Sequence, residues 1–175
     1  RVTYYVRENK DGDTLKYVVP RDENETATIS SYDFIDISDD FRRIEYNNGN
    51  RSKTITLDST PRTFYNGRFY SGLTKEDFNM DMGTIRIVES YGNDEPDLIF
   101  VTEYETFVTD RISNDGTIIY NKYSHSGVTE KLELENTEYR ITKSGEEIDI
   151  SDIKEWDILS VAATVNGLDT YYEIL

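Results

Sequence analysis

The chain has 175 residues, 36% hydrophobic and 31% charged, which supports modest cores rather than one large one. Its formal net charge of -16, from 35 acidic against 19 basic residues, repels nucleic-acid phosphates and anionic lipid headgroups, so neither is an expected partner. With no cysteine, disulfides, thiolate catalysis and cysteine-ligated zinc are excluded together.

The 14 Tyr and 7 Phe, with short runs of Val, Ile and Thr, suit pleated and half-buried surfaces. Long stretches of helical period are missing, so the composition predicts strands. No apolar run is long enough to span a membrane, and membrane insertion is not expected. The chain starts at Arg1 without an initiator Met or a signal peptide. The expectation is a piece of a longer protein whose targeting signal lies elsewhere.

In chain order, Val2–Val6 and Leu15–Val19 predict a hairpin around the turn Asn9-Lys10-Asp11-Gly12-Asp13. It reads as the tail of a preceding module or as a strand pair completing the next one. From Tyr32 onward the apolar and turn positions run twice. Tyr32-Asp33-Phe34-Ile35 lies beside Tyr104-Glu105-Thr106-Phe107-Val108, and the turns Ser38–Asp40 and Ser113–Gly116 follow. Ile44-Glu45-Tyr46 matches Ile118-Ile119-Tyr120, and Thr54–Leu57 matches Glu130–Leu134. Asn66-Gly67 and Ser144-Gly145 predict tight hairpin tips, where residues tolerant of positive φ are needed.

Next, Leu73 with Phe78 corresponds to Ile148 with Ile153, and these, with Trp156, are expected to plug one end of each module. Thr74–Asp77 and Ser151–Lys154 read as single helical turns opened by a hydroxyl cap. Ile85-Arg86-Ile87 matches Leu159-Ser160-Val161, and Asp97–Val101 matches Tyr171–Leu175. The expected fold is therefore all-β with minor helical turns: tandem small β-barrel or β-sandwich-like modules in an elongated arrangement. The division is 1–31 (closing hairpin of a preceding copy, or linker), 32–103 and 104–175. Thr102-Glu103 joins the copies with no Pro/Gly-rich linker, which predicts a stiff junction.

Chemistry is sparse. His125, the only histidine, sits among turn residues and lacks the positioned serine and orienting acid of a nucleophilic triad. No pair of carboxylates stands out as a facing acid and base, so the chain is read as non-catalytic. Asn9, Asp11 and Asp13, and Asn93, Asp94 and Asp97 beside Glu95, supply clustered oxygens of the kind calcium takes. They match no EF-hand spacing, and Asn, Asp and Gly are also what β-turns require, which is the preferred reading. Tyr70, Tyr91, Tyr123 and Tyr171-Tyr172 are candidates for stacking on sugar faces, although tyrosine is also an ordinary strand residue.

Three stretches carry a family resemblance: Tyr104–Ile112, Gly145–Val161, and the run from Phe64-Tyr65-Asn66-Gly67 through Gly83-Thr84-Ile85. They resemble modules that recur in large clostridial cell-surface proteins bearing S-layer-homology anchoring domains, and the likeness covers most of the chain from Ile44 onward. The resemblance implies an extracellular, bacterial-surface structural or spacer module. Related modules in phage virion proteins make a virion component the alternative, and a cell-wall polysaccharide-binding module a further one. Expected partners are self-association, neighbouring domains of the same longer chain, or cell-wall polysaccharide. No cofactor is implied beyond the calcium candidates. The anchoring domain is not in this sequence, so wall attachment by these residues is not implied.

Overall fold

The computed structural model describes residues 2–7, 14–20, 24–90, 94–124, 130–166 and 169–175. Strands dominate, with two short 3-10 turns and no long helix among the described residues. None of these helices is long and apolar enough to cross a membrane.

β1 (Val2–Arg7) and β2 (Thr14–Pro20) pair with each other as a separate two-stranded sheet. β3 (Asn24–Ser30), β4 (Phe34–Ile37), β5 (Arg43–Asn48), β6 (Arg51–Thr56), β7 (Arg62–Tyr65), β8 (Arg68–Phe69), β9 (Gly83–Glu89) and β10 (Leu98–Glu103) build the first copy. They form a five-stranded sheet in the order β3-β9-β10-β7-β8 and a three-stranded sheet β4-β5-β6. The second copy comprises β11 (Glu105–Ile112), β12 (Ile118–Asn121), β13 (Lys131–Glu133), β14 (Glu138–Lys143), β15 (Glu146–Glu147), β16 (Ile158–Asn166) and β17 (Asp169–Ile174). These make one seven-stranded sheet, β13-β12-β11-β16-β17-β14-β15.

The two strand orders are the same topology. β10 pairs antiparallel with β9 and parallel with β7, and β17 does the same with β16 and β14. β11 does alone what two strands do in the first copy. Its first half, Glu105–Val108, pairs with β16, and its second half turns onto β12. In the first copy β3 pairs with β9, the turn Ser31–Asp33 interrupts the strand, and β4 continues onto β5. Each copy has its own core. Ile29, Ile37, Ile44, Leu57, Phe78, Ile85, Ile87, Ile99 and Val101 centre the first, and Phe107, Ile119, Leu132, Ile141, Leu159, Val161 and Ile174 the second. The sheets do not close, so the modules are sandwich-like rather than barrels.

Register corrects several of the sequence matches. Ile99 lies opposite Ile87 and Thr63, and Ile174 lies opposite Val161 and Ile141. The last strands therefore align Ile99 with Ile174, one residue away from the match of Asp97–Val101 with Tyr171–Leu175. Side chains alternate faces along a strand, so the earlier alignment would have put Glu173 in the core. Ile44 likewise corresponds to Ile119, since each faces the apolar residue of the next strand, Ile55 or Leu132. Ile29 opposite Ile85 corresponds to Phe107 opposite Leu159, so β3, not Tyr32–Ile35, is the counterpart of Glu105–Val108.

Two further expectations change. The second helical turn, Ile150–Asp152, is capped by Asp149 rather than Ser151, with Ser151 N donating to Asp149 Oδ1 at 2.9 Å. The first, Lys75–Phe78, does open at Thr74, whose backbone N donates to Asp77 Oδ2 at 2.6 Å. Trp156 plugs nothing: it is 56% exposed, with Lys122 Nζ 3.9 Å above its ring. Phe78 and Ile153 are buried as expected.

One backbone approach is very close. A Cβ at Gly83 would meet the Thr102 carbonyl oxygen at 2.4 Å and Met80 Sδ at 2.5 Å, so only glycine fits between β9 and the end of β10.

Candidate functional site

The two hairpin tips are alike in backbone. Asn66 (φ 44) and Gly67 (φ 82), and Ser144 (φ 54) and Gly145 (φ 84), take the paired positive-φ conformation that matches strand twist. Their surroundings differ. The Asn66 tip is held by Asn66 N donating to Val101 O at 2.9 Å and by Glu103 N donating to Asn66 Oδ1 at 2.9 Å. Across the junction, Asn66 Nδ2 donates to Ala163 O at 3.0 Å, and Thr164 Oγ1 donates to the Asn66 carbonyl. Tyr104 N donates to Met82 O at 2.8 Å, and Ser160 Oγ lies 3.9 Å from Met82 Sδ. The small outward residues Ser160, Ala162 and Thr164 of β16 let the first copy approach, and Ala162 is only 3% exposed.

A cleft of about 710 Å³ opens beside this junction, lined by Tyr65, Asn66, Arg68, Phe69, Tyr70, Asp77, Ala163 and Thr164. Its rings come from β7, β8 and the residue that follows. Phe69 is 62% exposed and Tyr70 49%. Behind Phe69 runs a row across the outer face of the first sheet. Phe69 meets Phe64 edge-on at 5.9 Å, Phe64 stacks on Phe100 at 4.8 Å, and the Arg86 guanidinium lies 4.8 Å from the Phe100 centroid. Tyr65 donates its hydroxyl to Glu103, and burial together with that carboxylate pushes the phenol well above its ordinary range.

Of the sugar-stacking candidates, Tyr70 lines this cleft and Tyr123 lies apart from it, tilted 6.4 Å from Trp156. Tyr172 packs partly buried against the second core. Tyr91 lies outside the described residues, and nothing is described of the Tyr171 side chain. Phe64, Phe69 and Phe100 were missed. Phe64 and Phe69 face each other across the β7–β8 hairpin, a signal the sequence did carry, whereas Phe100 is distant and joins them only through the parallel β7–β10 pair.

Of the calcium candidates, Asn9, Asp11, Asp13 and Asn93 lie outside the described residues, as does His125. Asp94 adopts φ 62 in its turn. Asp97 is 3% exposed and engaged on both oxygens: Ser90 N donates at 2.6 Å, Ser90 Oγ at 2.7 Å, and Arg62 approaches at 3.4 Å. It ties Ser90, which follows β9, to the residue just before β10. Among the described residues no three His, Cys, Asp or Glu side chains gather in a metal-binding group.

Two other aspartates, Asp40 and Asp115, hold turns. Ser38 Oγ donates to Asp40 at 2.6 Å and accepts from Arg43 N at 2.9 Å; Ser113 Oγ donates to Asp115 and accepts from Ile118 N at 2.9 Å. The serine hydroxyls, then the backbone amides, hold both carboxyls below the usual range. Comparison of the chain with protein-family models, with curated proteins and with solved structures finds no match.

Proposed function

We propose that the chain is a non-catalytic structural spacer of an extracellular, bacterial cell-surface protein. The observation that carries this reading is the junction. One topology occurs twice, and the Asn66 tip of the first copy is bonded through its carbonyl and its side-chain amide to β16 of the second. Those bonds add to the covalent link at Tyr104 and oppose bending between the copies. Stacked modules with nearest-neighbour contacts are a way to hold surface domains at a set distance.

The test is sedimentation velocity over a concentration series, with calcium and with chelator, joined to NMR relaxation of both copies. An elongated species whose copies share one tumbling time is expected. Copies that tumble independently would remove the spacer role. Assembly that rises with concentration would extend the role to a lattice element, and a calcium requirement for it would make the acidic turns binding sites.

A further inference from the structure

We propose that the cleft between the two copies binds a neutral oligosaccharide, independently of whether the chain also serves as a spacer. A pyranose ring offers an apolar C–H face and a rim of hydroxyls. The cleft offers the complement: two exposed rings at adjacent positions, Phe69 and Tyr70, with the Arg68 guanidinium and the Asp77 carboxylate in the same lining. The Arg68 side chain makes no hydrogen bond or ion pair with another described residue, and Asp77 uses Oδ2 for Thr74 while Oδ1 has no partner among them. One can donate to sugar hydroxyls and the other can accept from them.

The rings are fixed before any ligand arrives. Tyr70 N donates to Thr63 O at 3.0 Å, and Thr63 Oγ1 donates back to the Tyr70 carbonyl. The Tyr70 ring lies over Gly72, where a Cβ would come within 3.2 Å of it. Phe69 is braced by Phe64, whose own face is covered by Phe100. The row is thus closed at one end and open at the cleft. Such preorganisation lowers the ordering cost of binding.

The second copy shows that the scaffold does not need these rings. By register Arg68 and Phe69 correspond to Glu146 and Glu147, since Tyr65 pairs with Arg68 as Lys143 pairs with Glu146. Tyr70 corresponds to Ile148, each donating its backbone N to the strand partner, Thr63 or Ile141. The rings are therefore specific to the first copy's tip, beside which Ala163 and Thr164 of the second copy complete the wall. The ligand is neutral rather than anionic, because Asp77 lines the cleft, Glu103 adjoins it and the chain carries -16 overall.

The experiment titrates the full chain with neutral hexamers of β-1,4-glucose, β-1,4-N-acetylglucosamine, α-1,4-glucose and mannose, and with heparin as the anionic probe, following backbone amides by NMR. At least one neutral hexamer should shift the amides of Phe69, Tyr70 and Thr164 saturably. Phe69→Ala and Tyr70→Ala should each weaken that binding about tenfold, whereas Tyr70→Phe, which keeps the ring, should retain it. Glu147→Ala, at the matching place in the second copy, should leave it unchanged, and the amide spectra report whether each variant stays folded. No shift with any neutral hexamer at millimolar concentration overturns the proposal. So does binding that survives Phe69→Ala and Tyr70→Ala together, or a response to heparin alone.

Discussion

Asp115 and Asp40 are surface carboxylates whose folded-state pKa values lie below their unfolded ones, so the unfolded chain binds more protons through the acid range. Their stabilisation is complete above the ordinary carboxylate range and is lost as pH falls through the lowered values. The melting-temperature gap between the native chain and Asp115→Asn should be present at pH 7 and close as pH falls through and below the ordinary carboxylate range. Thermal melts of the pair, read at each pH, check it. Comparing the two proteins cancels the opposite effect of acid, which relieves the self-repulsion of so negative a chain. Buried groups answer differently. Asp97→Ala leaves Ser90 and Arg62 without their acceptor and should cost about 1–3 kcal/mol in urea unfolding. Thr109 is fully buried, and its hydroxyl has no partner among the described residues. Thr109→Val keeps the shape and should stabilise by about 1 kcal/mol in the same assay.

The elements readable from sequence were those fixed by local chemistry. The tips Asn66-Gly67 and Ser144-Gly145 needed positive φ, and Leu57 and Leu134 were matched correctly because each closes an alternating strand. Registers of Ile44 and Ile99 were off by one, since Ile118-Ile119 and Tyr171-Tyr172 each offer two adjacent residues that could face inward. Only the cross-strand partner decides between them. The division of one β11 into β3 and β4 was hidden for a related reason: the turn Ser31–Asp33 looks like a boundary, yet Ile29 before it is 1% exposed and belongs to the first core. Only Tyr70 of the cleft was singled out: the hairpin Phe64–Tyr70 did carry its rings close together, but Phe100 behind them and the wall from β16 come from distant strands and leave no spacing along the chain. At this scale Gly83→Ala should cost about 1–3 kcal/mol by urea unfolding, since Met80 can shift but the Thr102 carbonyl belongs to the sheet.

For the whole molecule the question is how far the copies unfold together. Each has its own core, and coupling comes from the junction. Asn66→Gly keeps the positive φ and deletes the amide that bridges Glu103 and Ala163. Calorimetry of the native chain should give one transition, and the variant should give a broader or split one.

Gly83 also limits how far the two copies are interchangeable. Ser31 N donates to the Gly83 carbonyl as Thr109 N donates to that of Asp157, so aspartate stands at the matching place in the second copy. Gly83→Asp, which would give the first copy the residue of the second, would press a side chain against Thr102 and Met80. The two copies share a topology but cannot trade residues freely: a side chain tolerated before β16 has no room at the start of β9.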